Sequence, residues 1–245
     1  MKKCEKAINK KVEKHMTQTE DIILHAENFL KFQKQFQPTP VTASSGFYET
    51  VNILDKEFSK IYPDENVFTS VSALYFIISK WNLTKKVFQA TPEAIARFKS
   101  EKIECIDRDT LMNLPCQAFF IPLNEPKMIG AFVYFEMSDT QTAIHIIEVE
   151  SVGKSKTDYF RAGAAFIIVD NNETLEHAID GWLNNIRRDR LNQYKRVMRI
   201  YPMLINASVY IAGHPEAIIP VKIPKSKRLV SGSGKPINIK YFNII

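Results

Sequence analysis

The chain contains no apolar run approaching the roughly 18 residues that a membrane span requires. Its basic amino terminus leads into no apolar h-region, so no secretory signal is legible. Cysteine is scarce: Cys4, Cys105 and Cys116 are odd in number and lack metal-ligand spacing. That argues for free thiols in a reducing compartment. A soluble, cytoplasmic protein without membrane contact is the expectation.

Catalytic and cofactor signatures are equally sparse. His15, His25, His145, His177 and His214 form neither an H-x-x-x-H nor an H-x-E pattern. His145 alternates with Ile144 and Ile146, which suits a solvent-facing or satisfied core histidine better than a ligand. Ser44-Ser45-Gly46-Phe47 is not a nucleophile elbow, and Gly232 and Gly234 lack the strand–helix context of a phosphate loop. Cys116, beside Leu114-Pro115, reads as a small buried hydrophobe. Glu136, Glu148 and Glu150 end strand-like runs with no evident acid/base partner. The expectation is a protein without catalytic residues, metal site or cofactor.

What is present is enough chain for a substantial core. The 245 residues are 45% hydrophobic and 24% charged, with 16 Phe and 9 Tyr, a globular composition. The net charge of +6 is unevenly placed. From Arg187 onward there are 12 Lys and Arg against Asp189 and Glu216, a net of +10, which leaves −4 for the first 186 residues. The chain is electrically two-faced.

Residues 1–16 are rich in Lys and Glu and are expected to be a solvated helix or frayed. Thr17 or Thr19 caps a helix through Phe36, with Ile22, Ala26, Phe29, Gln33 and Phe36 inward, and Pro38 and Pro40 stop it. Phe47, Val51, Leu54, Phe58 and Ile61 repeat with helical spacing. A helix capped at Thr69 or Ser70 carries apolar residues all round and is expected to be buried on most sides. Thr91-Pro92-Glu93 is a helix start with cap, first-turn proline and early acid.

Four runs then read as strands: 114–123, 128–136, 142–150 and 164–170. The intervening turns are too short for helical crossovers, so the runs form an antiparallel meander. Apolar residues on both faces, Phe132 and Tyr134 against Val133 and Phe135, require helices on both sides. A helix from Asn172 or Thr174 to Ile186 follows. Pro202 then forces a kink or new start, and an apolar helix from Met203 to Ala212 closes at Gly213-His-Pro215. The fold class is α+β: N-terminal helices, a central antiparallel meander of three to four strands, then C-terminal helices and a basic tail. Residues 1–216 make one domain and residues 217–245 a loose Pro/Gly-containing tail.

Arg187, Arg188, Arg190, Lys195, Arg196 and Arg199 fall within 13 residues and are the candidate nucleic-acid contacts. Arginine's planar fork suits phosphate, and Tyr194 and Tyr201 are placed to stack on bases or to pack in the core.

Two sets of blocks resemble a known family. The first is Trp81-Asn-Leu-Thr-Lys-Lys-Val-Phe88, then Thr91-Pro-Glu-Ala and Ile106-Asp-Arg-Asp-Thr-Leu-Met-Asn-Leu-Pro115. The second is Phe166-Ile-Ile-Val-Asp170, Leu175-Glu-His-Ala-Ile179 and Pro202-Met-Leu-Ile-Asn-Ala-Ser-Val-Tyr-Ile-Ala-Gly-His-Pro-Glu216. This order is similar to that of plasmid- and phage-borne proteins related to the type V-A anti-CRISPR that blocks biogenesis of the effector nuclease. Tyr210 to Glu216 stands where that family has a Tyr-Leu-Cys-Ser-like segment, without the cysteine. The family's C-terminal region rich in His, Trp and Arg has no counterpart in this sequence. The resemblance implies a mobile-element protein that binds the nascent polypeptide of a CRISPR effector and lowers its messenger RNA, with RNA or the ribosome as a further partner. The other reading, from charge alone, is a nucleic-acid-binding accessory protein that uses its basic C-terminal third.

Overall fold

Alternating β-branched and aromatic residues pair in sequence order to make the centre of the sheet. β2 (Ala118–Pro122), β3 (Met128–Met137), β4 (Gln141–Glu150) and β5 (Ala165–Asp170) are antiparallel neighbours. Phe120 lies opposite Phe132, and Phe132 opposite Ile147, so aromatic and β-branched pairs run across the ladder. These relations come from a computed structural model. It describes residues 19–61, 65–101, 108–123, 128–138, 141–150, 165–170, 177, 181, 191–223, 229–230 and 234–245.

The meander is only part of the sheet. β1 (Lys86–Ala90) runs parallel to β2 on one side and parallel to β7 (Lys240–Ile244) on the other. β6 (Ile218–Val221) pairs antiparallel with β7. The order is β5-β4-β3-β2-β1-β7-β6, a seven-stranded mixed sheet instead of a purely antiparallel one. The C-terminal layout therefore differs from helices followed by a tail, because residues 218–221 and 240–244 complete the sheet. Pro122 has no N–H to give, and the β1–β2 ladder holds one registered pair, Val87 with Phe120.

Helices cover both faces, as the two-sided apolar pattern demands. Helix α1 (19–33), α2 (Phe47–Phe58) and α3 (Glu65–Thr84) pack with Val87, Phe120, Phe132, Tyr134, Ile147 and Tyr241. Helix α4 (Pro92–Ser100), α5 (Arg108–Met112) and α6 (Leu191–Gly213) pack with Phe88, Phe119, Val133, Phe135, Ile146 and Ile244. The result is a three-layer α/β/α sandwich.

Local signals explain most boundaries. Thr91 accepts a hydrogen bond from the Ala94 N–H at 3.2 Å, with Pro92 in the first turn of α4. Helix α3 begins at Glu65, four residues before the expected cap, and Ser72 to Ile78 are buried without interruption. Phe36 ends in a short 3-10 turn and is exposed instead of inward. Pro202 neither stops nor restarts α6, which is continuous from Leu191 to Gly213. Buried Asn206 explains how α6 meets α4. Its Nδ2 donates to the Phe98 and Glu101 carbonyls at 2.6 and 2.7 Å, satisfying the carboxy-terminal end of that helix. The expected helix over 172–186 lies outside the described residues, except for helical backbone at 177 and 181.

Gly130 on β3 leaves no room for a side chain. A Cβ there would lie 2.6 Å from the Ile121 carbonyl oxygen and would clash with the edge of the Phe120 ring. The register shift between Met128 and Gly130 leaves no slack, since the clash is partly with backbone. Gly130→Ala is expected to cost about 1–3 kcal/mol, the range for overpacking a filled core. Urea unfolding of the two proteins checks this, and a midpoint unchanged from the parent contradicts it.

Candidate functional site

β1 and β7 carry the same three-residue pattern, Lys86-Val-Phe88 and Lys240-Tyr-Phe242, and the parallel ladder sets them side by side. Lys86 pairs with Lys240, and Phe88 with Phe242. Alternation puts both pairs on the α4–α6 face of the sheet, where Phe88 stacks on Phe242 with ring centroids 5.2 Å apart. On β6, Pro220 lies opposite Phe242. One step beyond the last registered pair, Val221 with Tyr241, Lys222 falls opposite Lys240. Two rows therefore cross three strands: Lys86–Lys240–Lys222, and beside it Phe88–Phe242–Pro220. Phe88 is fully covered, Phe242 is half-buried, and Lys240 and Lys222 are exposed, so the sheet surfaces from under its helices between these rows.

Lys86 Nζ donates to the Pro115 carbonyl and lies 5.7 Å from the Phe242 ring centroid, a cation–π contact. Cys116 sits beside Lys86 and Lys240. Burial outweighs their attraction and pushes its thiol up to about 11, which makes it the inert small residue expected from the sequence.

The same strands border a cleft of about 530 Å³, whose lining includes Lys222, Lys240 and Phe242. Its apolar wall is Val221, Ile223, Leu229 and Ile239, which also pack against the α1–α3 core. The Ile237 N–H donates to the Leu229 carbonyl at 2.8 Å and holds the outer wall in place. β6 itself is a blunted edge. The Ile245 N–H donates to the Ala217 carbonyl, which fixes the ladder phase and turns the nitrogen of Pro220 outward, where it has no hydrogen to offer a further strand.

A second polar assembly lies beneath α2. Glu136 on β3 accepts from the Phe47 N–H at 2.9 Å, placing a carboxylate at the amino terminus of that helix. Its other oxygen is 3.6 Å from His145 Nε2, and the His145 ring lies 3.9 Å from that of Phe47. Lys80, 4% exposed, donates to the Ala43 carbonyl at 2.9 Å and lies over the Phe76 and Tyr134 rings. His145 holds Glu136 below the ordinary carboxylate value, with the Phe47 N–H and Lys80 acting in the same direction. Burial lowers His145 and Lys80, and in both cases Glu136 opposes the shift. The assembly fastens residues 43–47 to the sheet, with His145 buried beside Glu136. The partner of Glu136 was not visible in sequence because it stands on the neighbouring strand.

Of the sequence-derived nucleic-acid candidates, Arg187, Arg188 and Arg190 lie outside the described residues. Lys195, Arg196 and Arg199 lie on α6, with side chains outside them. Lys86, Lys222 and Lys240 were missed. The signal available was the repeated Lys-x-Phe, whose meaning depends on a parallel pairing between residues about 150 positions apart.

Fold and site define a mixed-sheet α/β/α protein with a lysine row and a cleft bordering it at the β7–β6 end of the sheet. No family model matches the chain, and no curated protein matches it. Among solved structures it is similar to one titled "Crystal structure of AcrVA2", with a TM-score of 0.49 and 11% identity over 94% of this chain and 84% of that one.

The buried assembly sets a pH dependence. Folded His145 is held below 6.5, so as pH falls the unfolded chain takes up this proton first. The contribution is complete above 6.5 and is lost below it. Glu136, held below 4.5, adds a further loss at lower pH as its carboxylate is neutralised. Each pH unit inside the His145 window removes at most about 1.4 kcal/mol. Thermal midpoints should therefore fall between pH 7 and pH 5, and His145→Gln should flatten that decline. A decline of equal steepness in the variant refutes the assignment.

Proposed function

We propose that this chain is a non-enzymatic binding protein of a mobile genetic element, anti-CRISPR-like, that recognises the nascent polypeptide of a CRISPR effector and lowers its messenger RNA. The ordered blocks between Trp81 and Glu216 support the class. The observation that carries polypeptide recognition is the cleft beside β6. Its apolar wall, Val221, Ile223, Leu229 and Ile239, suits insertion of an apolar side chain from an extended segment. Pro220 removes the outward donor of β6, so recognition there works through side-chain burial in the cleft instead of strand addition. The second reading, a nucleic-acid-binding accessory protein, is favoured by the net +10 after Arg187.

Peptides tiled along the amino-terminal segment of a type V-A effector, immobilised and probed with the protein, test the first reading. One short window should bind, with weak salt dependence. Ile223→Asp and Leu229→Asp should weaken it at least about ten-fold by placing a charge in the apolar wall, with circular dichroism unchanged. Effector messenger RNA in expressing cells should recover with the same variants. No binding window, or capture indifferent to both substitutions, sinks the reading. Retention only of RNA, released by salt, assigns the protein to the second.

A further inference from the structure

We propose that Lys86, Lys240 and Lys222, together with the Phe242 ring, form a binding surface for single-stranded nucleic acid on the α4–α6 face of the sheet, bordering the cleft. Three observations converge on it. Like charges directly opposite one another on neighbouring strands repel, so a row of three lysines carries a folding cost. No carboxylate offsets that cost, since Lys222 and Lys240 make no ion pair among the described residues. Lys86 spends its ammonium on a neutral carbonyl and an aromatic ring, which leaves its charge undiminished.

Spacing and chemistry select the occupant. Strands about 4.8 Å apart spread the three lysines over about 10 Å, within reach of consecutive phosphates on a flexible strand. Parallel to the ammonium row runs the apolar row, and its solvent margin is Phe242, half-buried and stacked on its strand neighbour Phe88. Phosphate-binding cations beside an aromatic ring on an open sheet face are the elements by which proteins hold unpaired bases. An acidic polypeptide would meet the lysines but has no use for the ring. The net charge of +10 after Arg187 adds long-range attraction for a polyanion.

The rival account is that Lys222, Lys240 and Pro220 only guard the sheet edge against pairing with another copy. The full chain should be titrated by fluorescence anisotropy with a labelled oligouridylate of about twelve nucleotides, inside the usual single-strand site range. Replacing Lys222 and Lys240 together by Gln should reduce the slope of log affinity against log salt by about 1.4, or about 0.7 per lost phosphate contact. Arginine at both positions should restore it. Phe242→Leu should weaken binding at least about five-fold with the slope unchanged, because stacking releases no counterions.

A slope unaltered in the folded Gln variant overturns the proposal, and self-association of that variant on gel filtration then assigns the lysines to edge protection. Equal affinity for polyglutamate makes the partner an acidic polypeptide. Equal affinity for duplex RNA removes the role of the ring. Should the double variant unfold, Lys222→Gln alone, beyond the end of β6, must still lower the slope by about 0.7. The cleft variants Ile223→Asp and Leu229→Asp should leave oligouridylate binding within two-fold of the parent, so peptide recognition and strand binding fail separately.

Discussion

A sheet that is apolar on both faces cannot be covered from one side, and this constraint orders the whole chain. Among the described helices, α1 to α3 are used on one face and α4 to α6 on the other, with β1 between the two groups in the chain. Lys85 links α3 to β1. It sits at a φ of 50°, a left-handed conformation that costs a non-glycine residue energy, and it turns the end of α3 directly into the strand. The turn is held by neighbours on three sides. The Lys85 N–H donates to the Trp81 carbonyl, Trp81 Nε1 to the Lys86 carbonyl, and Thr84 Oγ1 to the Ala118 carbonyl. Lys85 Nζ pairs with Glu27 of α1.

The same constraint explains the buried assembly at Glu136. Covering the α1–α3 face leaves the 37–46 segment to cross over the ends of β3 and β4, where its backbone groups would lose water. Lys80 and Glu136 supply a donor and an acceptor for it, and each partly neutralises the other's charge. Burial disfavours the charged form of His145, which lies beside the partly exposed Glu136 carboxylate under the helix. Thr39, bonded through its N–H and hydroxyl to Glu57, closes the other end of the segment.

Features carried by local pattern were legible from the residues alone. The alternation of Phe132 to Phe135, the cap at Thr91 and the all-round burial of Ala73 to Ile78 each follow from neighbours within a turn or two of the chain. Long-range features were not. β1 is five residues between two helices, and β7 mixes Lys, Asn and aromatics, so neither stands out until each is the other's partner. Pro220 reads as a strand breaker, yet an edge strand tolerates proline where the nitrogen faces out. The lysine row and the Glu136–His145 contact share that origin: each is made by residues on separate strands.

The parallel pairing of β1 with β7 also has a consequence in time. About 150 residues separate the two strands, and β6 joins the sheet only through β7. At ordinary elongation rates of about 5–20 residues per second, β1 emerges from a ribosome roughly 8 to 30 seconds before its partner exists. Throughout that interval one flank of β1 has unpaired amides above a buried-type aromatic sequence. A half-made chain is thus a more adhesive object than the finished one, and the order of synthesis, as much as the final contacts, decides what it meets first.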